Sequence, residues 1–354
     1  MRPLLATLAL LCTATLGLTA QPVVVTANTI LDDLVRQVGG DQVRTHCLLA
    51  PGTDPHSFEP RPSDIKQLVT ADILVVNGLD LEPAVLKLVQ NCGFRGQLVV
   101  ATTGLTPRHG ACHHHHGEDE EDHDHASLGT PSSSSASASS APTAEPAAST
   151  TSTSSTQSTS SATAPTSTNP HSEIRIPQSS AADPHAWQNP RLVATYVANI
   201  RDALTRANPA AAELYRTRAA AYTEQLATLD RWTREQIATI PPAHRKLVTS
   251  HDSLGYFADA YGFETVPVAG LSTASEPDAR TVAAIVDLIR REHVPAVFIE
   301  LTTNPKLLRQ IAADAGVRLA EPLYTDTVGT AGSGAETYLN LFRTNVSRIV
   351  AALQ

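Results

Sequence analysis

Two hydrophobic periods alternate along this chain. Short runs of β-branched and aliphatic residues recur at 23–26, 73–77 and 97–101, and again at 246–250, 264–268, 296–300 and 317–322. Between them, at 29–38, 62–70, 278–291 and 305–315, apolar positions return every three or four residues. The first pattern is that of a buried strand, the second that of an amphipathic helix. Strand and helix in alternation predict parallel sheets covered by helices. The alternation occurs once before about residue 107 and once after about residue 245, so the chain is α/β throughout and built in two halves.

Two unlike connectors separate the halves. Residues 108–182 begin with charges and continue as Ser, Thr, Ala and Pro almost alone. Such a segment buries too little apolar surface to offset its ordering entropy, and it reads as a disordered insertion. The second connector is helical. Asn189 and Pro190 open one helix that runs to about Asn208, and Pro209 opens another that the Pro241-Pro242 pair stops at about residue 240. Leu214, Ala221, Leu226, Leu229, Trp232 and Ile237 give it an apolar stripe. About thirty residues make a rod of about 45 Å, long enough to tie two domains together.

The first twenty residues, MRPLLATLALLCTATLGLTA, read as a secretory signal peptide: Arg2, an apolar run from Leu4 to Leu18, and Ala20 before Gln21. Export to the periplasm follows. Lipid anchoring at Cys12 is disfavoured, because Leu11 precedes it where a small residue is expected. In an oxidising compartment the spacing leaves a Cys47–Cys92 disulfide open, while Cys112 lies among histidines. The net charge of −9 misleads, since the six acids from Glu118 to Asp124 carry most of it. No basic stripe exists, so nucleic acid is excluded as a partner.

Four short stretches carry chemistry. GTDPHSFEPRPSD presents His56, ADPHAWQNP presents His185, VTSHDSLGYFADAYG presents His251 and EPLYTDTVG presents Asp326. The first two repeat Asp-Pro-His, a small residue and an aromatic. Proline fixes φ and turns its predecessor away from helix, so the imidazole projects from a rigid turn. Phe58 and Trp187 are placed to wall the rings from water. His251 and Asp326 follow predicted strands of the second half, beyond their carboxyl ends, where open α/β sheets bind ligands. Three imidazoles and one carboxylate suit zinc. Glu300 closes the strand AVFIE and is expected to orient an imidazole rather than touch metal. His46, His171, His244 and His293 are read as surface or packing residues.

With these stretches in hand, the chain resembles the zinc/manganese ABC-transporter solute-binding proteins, the ZnuA-like and TroA-like family. PGTDPHSFEPRPSDIKQLVTADILVVNGLDLE, DPHAWQNP, SHDSLGYFADAYGF, GLSTASEPDARTVAAIVDLIRREHVPAVFIE and EPLYTDTVG occur in family order and cover nearly all of the mature chain outside 108–182. The resemblance implies two α/β lobes, each a parallel-rich sheet flanked by helices, joined by one long backbone helix. Residues 21–107 and 183–208 would form the first lobe, 209–240 the linking helix and 241–354 the second lobe. It places metal between the lobes on His56, His185, His251 and Asp326, and implies a membrane ABC permease as partner, a monomeric binding protein and no enzymatic activity. Manganese-type members usually carry Glu where His251 stands, and imidazole in place of that hard carboxylate favours Zn2+ over Mn2+.

The run HGACHHHHGEDEEDHDH, with His113, His114, His115, His116, His123 and His125, is read as an accessory. An unstructured array holds several zinc ions weakly, because each binding event must order the chain. The rival reading within the family is a manganese or iron binder. A secreted zinc hydrolase, with Glu300 or Glu59 as base, lacks a His-Glu-x-x-His helix and a Gly-x-Ser-x-Gly elbow. An adhesin stalk is disfavoured because the Ser/Thr tract interrupts the first lobe. The helical link predicts small lobe tilts on metal release, not wide closure.

Overall fold

The computed structural model describes residues 21–109, 182–273 and 277–354. The leader with Cys12, the histidine run, Cys112, His171 and the Ser/Thr/Ala tract lie outside the described residues.

Two four-stranded parallel sheets organise the described chain. β1 (Val23–Thr26), β2 (Arg44–Cys47), β3 (Ile73–Val76) and β4 (Gln97–Val100) lie in the order β2-β1-β3-β4. β5 (Lys246–Thr249), β6 (Glu264–Pro267), β7 (Ala296–Glu300) and β8 (Arg318–Leu323) repeat that order as β6-β5-β7-β8. All pairs are parallel. The seven hydrophobic runs fall on seven of these strands. β2 was hidden from the pattern: Arg-Thr-His-Cys is polar because it forms an edge, bonded only to β1 and partly exposed.

Helices α1 (Thr29–Gly39), α2 (Pro62–Val69), α3 (Pro83–Cys92) and α4 (Pro190–Ala207) accompany the first sheet. α5 (Ala212–Ile237) is the long link, packed on α1 and α4 of the first lobe and on α9 of the second. α6 (Gly255–Tyr261), α7 (Ala279–Arg291), α8 (Lys306–Ala315) and α9 (Tyr338–Leu353) complete the second lobe. Side chains start several of them: Asn28, Asn189, Asp278 and Thr337 each accept a hydrogen bond from the first-turn backbone. No helix among the described residues is long and apolar enough to cross a membrane.

The lobes share a core. Val24 and Val25 of β1, Leu226 and Leu229 of α5, and Phe257, Tyr338 and Phe342 of the second lobe belong to one buried cluster. A smaller cluster, including Val248, Ile289 and Ile311, lies within the second lobe. Exposing one large apolar side chain costs roughly 1.5–3 kcal/mol. Wide separation of the lobes would expose several, so the core itself opposes it.

Cys47 and Cys92 are free thiols, so the disulfide that spacing left open is not formed. Burial pushes the Cys47 thiol up to about 11, which keeps it protonated and unreactive.

Candidate metal centre

Both sheets deliver residues beyond the carboxyl ends of their strands. His56 follows β2, on a single 3-10 turn from Pro55 to Ser57. The Asp54 side chain accepts from the His56 backbone N–H at 2.9 Å and closes that turn. His185 stands at the start of a second such turn, Ala186–Gln188, ahead of α4. There Asp183 Oδ1 accepts from the His185 backbone N–H at 2.9 Å and lies 2.8 Å from the ring Nδ1. His251 leaves the end of β5, and Asp326 follows β8 by three residues.

The four meet. His56, His185, His251 and Asp326 each offer a ligand atom, and these atoms all lie within 4.8 Å of one another. His56 Nε2 is 3.2 Å from His185 Nε2. His185 Nε2 is 3.6 Å from Asp326 Oδ1, and His251 Nε2 is 3.5 Å from Asp326 Oδ2. Zinc bonds of about 2.0–2.1 Å in a tetrahedron set ligand atoms roughly 3.3–3.4 Å apart. The spacings therefore fit a small four-coordinate cation. His251 Nε2 and Asp326 Oδ1 are moreover buried without a hydrogen-bond partner. Buried polar atoms are rarely left so, unless something else is meant to meet them.

Each imidazole is aimed differently. Nδ1 of His251 lies 2.7 Å from Glu300 Oε2, while Glu300 Oε1 accepts from the His251 backbone N–H at 2.9 Å. Ser253 and Thr325 hydroxyls donate to Glu300 Oε2. Glu300 therefore orients the ring from behind and keeps Nε2 free for the cluster. Trp187 crosses the His185 ring edge-on at 5.2 Å and donates through Nε1 to Thr325 O at 2.7 Å, which ties the Asp326 segment to the first lobe. Phe58 is buried in the core beside the first turn.

Charge follows placement. Burial, then the neighbouring imidazoles, push His56 down to about 3. Burial also holds His185 well below the usual imidazole value, with His251 adding to it. For His251 burial also disfavours charge, but Glu300 and Asp326 outweigh it and raise the pKa to about 10. The metal-free site thus presents two neutral imidazoles and one imidazolium flanked by acids.

Reasoning from sequence passed over Asp183, Arg108, Ser253 and Thr325. The Asp-x-His spacing in ADPHAW was a signal for Asp183. The others gain their roles only through long-range contacts. His244 packs its Nδ1 2.9 Å from Leu353 O, away from the cluster.

Two parallel α/β lobes with a buried cluster of three imidazoles and a carboxylate that could hold a metal ion fit the class of cleft-type metal-binding proteins. Residues 24–352 match the family described as zinc-uptake complex component A, periplasmic, and the chain belongs to that family. Its fold matches the periplasmic zinc-binding protein TroA of Treponema pallidum with a TM-score of 0.71, at 25% identity over 94% of this chain and 99% of the other. It is 29% identical to the manganese-binding lipoprotein MntA of Halalkalibacterium halodurans, covering 93% of this chain and 88% of that one. To the iron-binding protein YfeA of Yersinia pestis it is 28% identical, with 92% and 84% covered. The chain is thus a substrate-binding protein of a metal ABC transporter and not an enzyme.

Proposed function

We propose that this protein captures Zn2+ outside the cytoplasmic membrane and delivers it to an ABC permease. His56, His185, His251 and Asp326 are the ligands, and Glu300 orients His251. The observation that carries the reading is the donor set itself: three imidazole nitrogens and one carboxylate, spaced 3.2–3.6 Å where they face one another. Manganese prefers six oxygen-rich positions, whereas zinc accepts four with nitrogen. Thr302 and Thr325 hydroxyls reach Asp326 Oδ2 at 3.3 and 3.2 Å, which leaves Oδ1 the unencumbered oxygen and supports a low coordination number. The histidine run at 109–125 acts as a weak accessory reservoir. The leader routes the chain to the periplasm, where it works as a monomer.

A manganese or iron cargo is the second reading, favoured by the likeness to the manganese-binding MntA and the iron-binding YfeA. Calorimetric titration of the mature chain, with and without residues 109–170, separates the readings. One tight zinc site that survives deletion, plus weak sites that vanish, is expected. Tight manganese with weak zinc would transfer the function to the second reading. Loss of the tight site on deletion would move it into the insertion.

A further inference from the structure

Behind His185, on the side away from the cluster, sits an arginine that the site so far described does not use. Arg108 stands at the start of the insertion and Asp183 directly after its end. An isolated antiparallel bridge joins His109 to Ala182, and the Asp183 N–H donates to Arg108 O at 2.7 Å. Both ends of the insertion are therefore fastened two residues from a proposed ligand.

The Arg108 side chain does more than fasten. Nη1 donates to Asp183 Oδ2 at 3.3 Å, and Nε donates to Asp259 Oδ2 at 3.0 Å. Asp183 belongs to the first lobe and is fully buried, while Asp259 lies on α6 of the second. Tyr256, also on α6, accepts from the Arg108 N–H at 2.8 Å and donates to Asp183 O at 3.0 Å. One guanidinium thus spans the lobes and occupies Asp183 Oδ2, leaving Oδ1 for His185. The fold makes room for it. Gly255 opens α6 against Arg108, and a Cβ there would collide with Nη1. At this position glycine serves the approach of a side chain.

We propose that Arg108 is a positioning residue of the metal site: it ties the carboxylate that aims His185 to the opposite lobe, so that the orientation of this imidazole and the apposition of the lobes are held together. Metal release then requires the Arg108–Asp259 arm to part before His185 can turn. The inference rests on the reading of His185 as a ligand, and a bidentate-capable planar fork is the group that such a two-carboxylate bridge needs.

The test uses the mature full chain loaded with Zn2+ for dissociation, by chelator chase, and with Co2+ for its visible ligand-field spectrum. Arg108→Met should release zinc about tenfold faster and shift the cobalt bands, since the partner that orients a ligand histidine typically governs affinity ten- to hundredfold. Arg108→Lys should restore the cobalt spectrum, because one ammonium can still neutralise Asp183, but not the release rate, because a point charge cannot bridge both carboxylates. Asp259→Ala, which cuts only the arm between lobes, should speed release about threefold and leave the cobalt spectrum unchanged. Wild-type rate and spectrum in Arg108→Met would overturn the proposal, as would a lysine variant that releases zinc at the wild-type rate. Should Arg108→Met fail to fold, Asp259→Ala decides, because the Asp259 side chain is 65% exposed and an unchanged release rate there refutes the strut. Failure of wild type to bind zinc tightly would instead refute the site reading.

Discussion

The two Asp-Pro-His turns have the same local sequence and opposite surroundings. In each, the aspartate carboxylate caps the histidine N–H two residues on. Around His185 the turn is sealed: the ring is fully buried, Asp183 grips its Nδ1 and Arg108 backs Asp183. Around His56 the turn is partly open. The second oxygen of Asp54 accepts from Thr273 of the other lobe at 2.6 Å instead of being backed by a cation. A cavity of about 590 Å³ opens beside it, lined by Asp54, Ser57, His251, Thr273 and Thr302. The same turn thus holds its histidine sealed where it is walled in, and lies beside a cavity where Asp54 and Ser57 line one.

The largest consequence is an asymmetry between histidine deletions. Tight zinc sites are worth about 10–16 kcal/mol in all, so one of four bonds is worth roughly 3–4 kcal/mol. His185→Ala should weaken zinc by about 10²–10³, with no solvent path to refill the position. At the open turn, water can take the vacated place, and His56→Ala should lose only about tenfold. Competition titration against a chelator of known affinity checks both. Equal losses would erase the distinction between a sealed and an open ligand.

A smaller effect separates the aspartates. Asp183→Asn removes the charge behind His185 and should cost about ten- to hundredfold in zinc affinity. Thr273→Val removes only the tie across the cleft. One hydrogen bond is worth about 1 kcal/mol, so affinity should change by at most about fivefold, with faster uptake and release in stopped flow. Unchanged kinetics in Thr273→Val would mean that the first turn does not gate the site.

This contrast also marks how far the sequence could be read. Buried parallel strands announce themselves because every face is apolar: Ile73–Val76 is buried at all four positions. The edge strand Arg44–Cys47 does not, since one side meets solvent. α3 and α9 were not among the segments read as helices, although both bury one apolar face. The histidines were legible because proline turns and strand ends constrain where a side chain points. Asp183 was half legible through its spacing to His185. Arg108 was not legible at all: it stands at the edge of a low-complexity insertion, and its partner Asp259 is 151 residues away. Local chemistry is written in local sequence, whereas a strut between lobes exists only once they pack.

The last difference concerns protons and runs from the two turns to the third imidazole. At neutral pH His56 and His185 are already neutral, so neither must lose a proton to bind metal. His251 carries one, because Glu300 and Asp326 overcome the burial that would otherwise discharge it, and hold its pKa at about 10. Zinc and that proton compete for the same nitrogen. Below about 10, the proton therefore wins ground as pH falls, and affinity should drop about tenfold per unit. Burial raises Asp326 to about 7 in spite of His251. Below that pH a second proton competes and the slope should steepen. Calorimetry in buffers of differing ionisation heat counts the protons directly, and near pH 8 about one should leave per zinc bound. Asp183→Asn should leave that count unchanged, since the sealed turn holds no proton to give. Glu300→Gln removes the nearest charge holding the His251 proton, so the count near pH 8 should fall and the slope flatten. A wild-type affinity that is level from pH 7 to 9 would show that His251 is neutral before metal arrives, and that all three imidazoles are alike in this respect.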